Sequence, residues 1–478
     1  MIDKLVICFI LTYSSFIFSQ SQIGFIDQYS GVNAVLYNPA TIADNPLKEE
    51  YHLFSTSFDF GNNVIPINPF QTLRNPSSLY FNGHDSFHDY VATFDFKENS
   101  TAYLNVNIQG PSYVRQLDRL QSIAVFTNVR LTGFAHQLNS KIYASLFTDA
   151  LSEDTLEFEV QDFTDTFGQG NVAAWAELGF SYAKVLYHKP NKLLKGGITF
   201  KFLKGLQSGH YQVSQVTVQN DQNLTDLVNN LVENDFNINS TNSDVLWNAD
   251  LTTDYEYASL ATNYGNSIDI GFVYEHRNKT LPKFSKDALG VYYIPAPYHY
   301  KISAAITDIG FLNFNQTVSS IAHIAYTYPN EFDIDETTET VHRTYATPMT
   351  AHVNLDYHIR KRFFVNGNLD VYMLPRNSVY TLNNVSSLTI SPRYESYQCS
   401  FFAPISINQY GVVRSGIGFR TPYFYINSAT LISNFTNFSK EVAFEMGIKI
   451  AIKNKNRAKE FNQSLKHHQI TNDALNLK

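Results

Sequence analysis

Thr350-Ala351-His352-Val353-Asn354-Leu355-Asp356-Tyr357-His358-Ile359 alternates polar and apolar residues without a break. Successive side chains of an extended strand point to opposite faces. Ala351, Val353, Leu355, Tyr357 and Ile359 therefore share one apolar face, and His352, Asn354, Asp356 and His358 share a wet one. The same period runs through Ala102, Leu104, Val106 and Ile108, through Ile123, Val125, Val129 and Leu131, and through Ile268, Ile270, Phe272 and Tyr274. It returns in Val442, Phe444, Met446, Ile448, Ile450 and Ile452, set against Glu445, Lys449 and Lys453. The repeating unit of this chain is a strand of roughly ten residues with one greasy side.

Alternation fits two homes. In a soluble sandwich the apolar face meets a protein core; in an outer-membrane barrel it meets lipid and the polar face lines the lumen. The best segments run to roughly nine to twelve residues, against the about 9–11 that a tilted membrane strand requires, whereas soluble strands average about 5–6. Tyr and Phe gather at segment ends, at Tyr292-Tyr293, Tyr298, Tyr300, Phe401-Phe402 and Tyr423-Phe424-Tyr425, where interfacial girdles belong. Of 478 residues 15% are aromatic and only 16% charged, below the roughly 25% charge of ordinary soluble domains. No internal run reaches the ~18 apolar residues of a membrane helix. A net charge of -8 offers no basic footprint for nucleic acid. The fold class is accordingly all-β: a transmembrane antiparallel barrel of about 14 strands over residues 51–453, even counts being the rule.

The ends carry other instructions. Lys4, the apolar run Leu5–Leu11 and small residues near Ser19–Ser21 form a secretory signal peptide over residues 1–20, and so direct the chain to the cell outer membrane. Cys8 leaves with that segment, and Cys399 then stands alone, which precludes an internal disulfide. Residues 454–478 are polar and basic, without a β pattern, and read as a free tail. Arg360-Lys361-Arg362 and Asn408-Gln409-Tyr410-Gly411 read as tight reversals of the periplasmic type. Ser208–Asn266 and Tyr328–Pro348 read as long connections, with helical spacing at Leu224–Leu231 and again at Ser140–Leu151.

Residues 21–50 read differently from the barrel. In Tyr29-Ser30-Gly31-Val32-Asn33-Ala34-Val35-Leu36-Tyr37-Asn38-Pro39-Ala40-Thr41-Ile42-Ala43-Asp44, Asn38 initiates a turn and Pro39 suits the first position of a short helix. Small residues such as Ala40 let that helix pack inside a barrel as a lumenal plug. Asn38-Pro39-Ala40, placed behind a signal peptide and ahead of a barrel, resembles the long-chain fatty-acid transporter superfamily. The fuller pattern through Ile42-Ala43-Asp44 is similar to a Bacteroidota family of outer-membrane proteins of unknown function. The resemblance implies about fourteen strands, an N-terminus folded into the lumen, and passage or binding of a hydrophobic substrate. Its alternative is a barrel that scaffolds type IX secretion or gliding-motility machinery, with secretion or motility proteins as partners. The motif covers only residues 29–44 and brings no substrate-contact residue with it.

Chemistry-bearing patterns are weak. His84-Asp85-Ser86-Phe87-His88-Asp89 has the spacing of a zinc pair on a helix, but no helical pattern supports it, and it reads as a solvated loop. Glu331, Asp333, Asp335, Glu336 and Glu339 form an acidic stretch without the glycine of a calcium loop. His467-His468 lies in the tail. No nucleophile elbow or phosphate loop occurs, so the chain reads as a non-enzyme with no metal and no cofactor. Its partners are outer-membrane lipid and lipopolysaccharide. Parity instead nominates His352, Asp356, Arg414, Glu445 and Lys449 as lumen-facing residues that either fill the interior by pairing or select what it accepts.

Overall fold

In the computed structural model, residues 27–63, 100–138, 168–218, 236–247, 263–277, 284–293, 298–327 and 331–453 are described, apart from short breaks within these ranges. The signal peptide, the tail, the His84–His88 pair, and the helical expectations at 140–151 and 224–231 lie outside them.

Fourteen antiparallel staves make up the barrel. They are β1 (Leu47–Asn62), β2 (Ser100–Gln109, continuing as Ser112–Gln116), β3 (Gln121–Leu138), β4 (Gly168–Lys189), β5 (Lys192–Val213), β6 (Tyr264–Arg277) and β7 (Tyr298–Thr327). There follow β8 (Glu331–Ala346, continuing as Thr350–Arg360), β9 (Phe363–Tyr372), β10 (Ser387–Glu395), β11 (Ser400–Phe402 and Ile405–Asn408), β12 (Val413–Ser415 and Ile417–Arg420), β13 (Phe424–Ser428) and β14 (Glu441–Lys453). Each pairs with its neighbour in sequence, and β1 closes the ring on β14 from Leu47↔Lys453 to Gly61↔Glu441. Closure satisfies the backbone between strands, which is what allows a sheet to sit in lipid.

Facing follows the alternation. Leu355 is 52% exposed, while Asn354 and Asp356 beside it are 5% and 0% exposed. Phe180, Phe202, Phe272, Val353 and Ile448 likewise face outward. The inward faces are polar and charged. Consecutive aromatic residues obey the same rule, and this corrects part of the girdle reading: Phe401 and Phe424 point outward, but Phe402, Tyr425 and Tyr298 are buried inside. Adjacent residues of a strand cannot share a face. The outward members Tyr51, Tyr187, Tyr357 and Phe363 ring the end of the barrel at which β1 begins.

That end holds the short connections at 117–120, 190–191, 361–362, 396–399 and 421–423 together with the longer 278–297, whereas the strands that bound the long connections 63–99, 139–167 and 214–263 meet them at the opposite end. Short turns mark the periplasmic side of such barrels. The Arg360-Lys361-Arg362 turn lies there. The Asn408–Gly411 reversal, with Gly411 at φ 75, lies at the opposite end, among the long connections. Three strands, β9 to β11, separate the two turns, and an odd number reverses the end. The Tyr328–Pro348 connection is also mostly strand: Glu331–Ala346 pairs with Phe311–Thr327, as its run of Thr and Val favours. Within Ser208–Asn266, short strands Phe236–Ser240 and Ser243–Trp247 extend the sheet beyond the barrel rim.

Candidate functional site

The N-terminal segment enters the lumen from the short-turn end and leaves by the same end. Asp27 meets Arg420 at 2.5 Å and accepts from the Ser400 hydroxyl at 2.9 Å. Gly31 takes φ 61, and a Cβ there would lie 2.1 Å from the Glu50 carboxylate; no other residue fits. That carboxylate accepts from the Val32 backbone N–H at 2.9 Å and from Lys449 Nζ at 2.8 Å. A one-turn helix, Val32–Val35, buries all four residues. Val32 and Val35 pack with Ile42 on Val114, Phe126 and Leu193 of the inner wall. The Tyr37 hydroxyl donates to Asp370 Oδ1 at 2.7 Å and also meets Asn368 Oδ1.

Asn38, Pro39 and Ala40 form the inner bend. Asn38 Oδ1 caps the 3-10 helix Pro39–Ile42 by accepting from Ala40 N at 2.9 Å, and Nδ2 donates to the Phe272 carbonyl at 3.2 Å. The bend lies on two glycines that are direct cross-strand partners, Gly197 and Gly271. A Cβ at 197 would stand 2.5 Å from Ala40 N and Pro39 C, and one at 271 would stand 2.1 Å from Asn38 Oδ1. The segment then leaves through Asp44, bonded to Arg277 at 2.7 Å.

All five parity-nominated residues project inward, into different surroundings. Asp356 accepts two 2.7 Å bonds from the Arg393 guanidinium and one of 2.5 Å from the Tyr298 hydroxyl. Arg414 lies 3.1 Å from Glu441 and 3.2 Å from Asp59. Lys449 joins Glu50 to the N-terminal segment, with Nζ 2.9 Å from the Tyr29 carbonyl. His352 Nδ1 is 2.6 Å from Asp370 and Nε2 is 2.9 Å from the Thr307 hydroxyl. Glu445 accepts from Asn427 Nδ2 at 3.0 Å. Only His352 and Glu445 of the five line the interior cavity.

That cavity offers about 100 Å³ of water-accessible space above Leu36 of the N-terminal segment and beneath Asn384. Asn384 belongs to the 373–386 connection, whose Leu382 packs among Trp175, Leu203, Phe314 and Tyr345 inside the barrel. Residues that alternation did not single out dominate one side of the cavity. Asp308, at φ 57 in a bulge of β7, bonds Arg130 at 2.8 Å and Lys201 at 2.7 Å, and Lys201 also holds Asp269 at 2.8 Å. A left-handed non-glycine residue is costly and clusters at functional sites. Among the described residues, no group of three or more His, Cys, Asp or Glu is arranged to hold a metal ion.

A second space lies in the wall. β10 carries Pro392 and β11 breaks at Ala403-Pro404; proline cannot donate to a sheet ladder. β12 breaks at Gly416, where a Cβ would collide with the Ser428 carbonyl at 1.8 Å. Across these interruptions opens an apolar pocket of about 830 Å³, lined by Phe363, Phe401, Phe402, Ile417, Phe419 and Phe444 among others. Phe401 and Ile417 face out and Phe402 faces in, so the pocket is lined from both sides of the wall. Asn427, Ala443 and Phe444 line both this pocket and the interior cavity.

The sequence profile of a family of unknown function, DUF5723, matches residues 39–428. No curated protein matches the chain. Similar solved structures include the Pseudomonas putida toluene transporter TodX, at 11% identity, covering 91% of this chain and 97% of that one, with a TM-score of 0.39. The Ralstonia pickettii toluene transporter TbuX is similar at 11% identity, 88% and 93% coverage and a TM-score of 0.38. The translocator domain of the autotransporter NalP from Neisseria meningitidis is similar at 6% identity, 87% and 93% coverage and a TM-score of 0.34.

Proposed function

The chain belongs to that family of unknown function, and on this premise we propose that it is an outer-membrane barrel that binds and passes apolar molecules by way of its wall. The observation that carries the reading is the pocket beside β10 and the interrupted strands β11 and β12. Its size falls within the roughly 300–1,000 Å³ of small-molecule sites, and its lining is mostly aromatic or aliphatic, with Arg393, Asn427, Ser428 and Asn434 as the polar members. Phe363, Phe401 and Ile417 belong to the apolar outer belt, so a molecule dissolved among lipid tails reaches the pocket without crossing water. The axial route is occupied from the short-turn end by residues 27–46, which we read as a plug, and is narrowed from the other end by Leu382 and its neighbours.

Ala403 lines the pocket and faces outward, so Ala403→Trp fills it and leaves the lumen as it is. In lipid nanodiscs an apolar fluorophore such as N-phenylnaphthylamine should bind wild type above the background of empty discs. The Ala403→Trp protein should bind about tenfold more weakly, a loss of about 1.4 kcal/mol, while still migrating as a folded barrel. Equal binding by the two folded proteins would remove the wall pocket as the site. Recovery of the chain in a fraction other than the outer membrane would remove the location.

A further inference from the structure

Resting on the wall-pocket reading, we propose that the molecule taken there is an amphiphile with a cationic, hydrogen-bond-donating head, such as a primary ammonium. The apolar tail lies in the wall pocket and the head lies in the interior cavity.

The register of four adjacent strands builds the head site. Asn427 on β13 stands across from Glu445 on β14, Glu445 from Ser57 on β1, and Ser57 from Asn107 on β2. One row further along, Asp59 stands across from Asn105, and Asn105 from Thr132 on β3. All these residues line the cavity, so its wall on this side is an arc of oxygen acceptors.

Several of those oxygens are spare. Asn105 Oδ1, Asn107 Oδ1, Asn128 Oδ1, Thr132 Oγ1 and Asn427 Oδ1 are buried and have no partner among the described residues. Asn128, Thr132 and Asn427 are each no more than 4% exposed. Two of the amides have their orientation fixed: Asn128 Nδ2 donates to Glu177 at 3.2 Å, and Asn427 Nδ2 donates to Glu445 at 3.0 Å. Turning either amide over would set its carbonyl oxygen against a carboxylate, so the spare atom in each is the acceptor. Buried acceptors left unmade are costly, and a donor is what relieves them.

Charge selects among donors. Four carboxylates, of Asp59, Glu177, Asp308 and Glu445, line the cavity, Asp59 already bonded to Arg414 at 3.2 Å, against two lining cations, Arg130 and Lys201. Both cations are already engaged by Glu177, Asp308 and Asp269 on the far side. A carboxylate head brought to the Asn427–Glu445 side meets acceptors and a like charge. An ammonium meets charge-assisted bonds. The same Asn427 borders the wall pocket, so the head and tail sites flank one stretch of wall.

The test compares three probes of one chain length, dodecylammonium, dodecanol and dodecanoate, by calorimetry at about pH 7 against wild type in nanodiscs, with partition into empty discs subtracted. Wild type should bind dodecylammonium about tenfold or more tighter than dodecanoate, with dodecanol between them. Glu445→Gln, or Asn427→Leu where the first variant does not fold, should reduce that preference to below about threefold while changing dodecanol by less than about twofold. Dodecanoate binding as tightly as dodecylammonium to wild type, with Ala403→Trp still weakening both, overturns the head site and leaves the wall pocket standing. A preference unchanged in both variants also overturns it. Failure of all three probes to bind wild type overturns the wall-pocket reading itself.

Discussion

Gly197 and Gly271 offer a direct measure of how firmly the N-terminal segment is seated. They are cross-strand partners on the inner wall, and the bend Asn38-Pro39-Ala40 lies on them. Alanine at 197 brings a carbon to 2.5 Å from the Pro39 carbonyl carbon and the Ala40 nitrogen, about 1 Å inside the usual carbon contact of 3.5–4.0 Å. Those atoms are backbone and cannot rotate away, so the segment or the strand must move. Overpacking of this kind costs about 1–3 kcal/mol. Alanine in a strand is otherwise favoured over glycine by roughly 0.5–1 kcal/mol. The sign of the effect therefore depends on the segment. In the full chain Gly197→Ala should lower the urea midpoint of the detergent-solubilised barrel, followed by the gel mobility of folded and unfolded forms. In a chain lacking residues 27–45 the same substitution should be neutral or stabilising. Gly271→Ala should behave alike, and the double variant should cost less than the sum of the two, because one displaced bend relieves both contacts. If the truncated chain does not fold, proteolytic release of the segment in the full-length Gly197→Ala protein replaces the comparison. A neutral Gly197→Ala in the full chain, or an equal cost with and without the segment, would refute the seating.

The outward face predicts that Leu355→Arg and Ile448→Arg each cost about 2–4 kcal/mol if near the membrane midplane. Asn354→Ser, which gives up the bond to Asn366, should cost about 1 kcal/mol; folding titrations into bilayers compare them, and equal costs at Leu355 and Asn354 would reverse the facing. The entry latch predicts a pH dependence. Burial alone would raise the Asp27 carboxyl, but the Arg420 guanidinium, helped by Lys449 and Arg393, holds it below the usual carboxylate range. A lowered folded value means that the stabilisation is whole above about pH 4 and fades as pH falls through that lowered value. The midpoint difference between wild type and Asp27→Asn should thus stay constant from about pH 8 to about pH 5 and shrink only in stronger acid. A difference that shrinks between pH 8 and 5 would contradict it.

The barrel was legible because its signal is local. Val353, Leu355 and Tyr357 alternate with Asn354 and Asp356 whatever else the chain does. Strand ends were less legible, since Glu331–Ala346 opens on a stretch crowded with acidic residues and shows as a strand through its pairing with β7. Alternation nominates His352, Asp356, Arg414, Glu445 and Lys449 for the inner face; it carries no information on the partner each meets, because Arg393 reaches Asp356 from 37 residues away. The helix Val32–Val35 gave no periodic signal, being a single turn buried on every side. Gly179 is one sign that was present: an inward-parity glycine in a strand marks close approach, and here a Cβ would strike the Phe126 ring at 2.1 Å. The wall pocket was written in Pro392, Pro404 and Gly416, three ladder-breaking residues that only the closed sheet brings side by side.

The lumen's charges separate by what satisfies them. Arg393 with Asp356 and Glu395, Arg414 with Glu441, and Lys449 with Glu50 are buried and mutually engaged. Removing one partner of such a pair strands the other, at about 3–5 kcal/mol, whereas replacing the whole pair with apolar residues is often neutral. Their task is consistent with fixing geometry: each joins strands or ties the N-terminal segment to the wall. A ligand gains little by competing with them. The acceptor arc from Asn427 to Asn105 is the opposite case. Its carbonyl oxygens are held in place by bonds from their own amide groups or by the strand register, yet they remain unspent. A barrel whose outside is apolar can leave polar atoms unmade only inside, and some of those this one leaves lie beside the stretch of wall interrupted at Ala403-Pro404 and Gly416. Selectivity for a head group and entry for a tail then follow from one physical arrangement, with Asn427 standing at the border of the two.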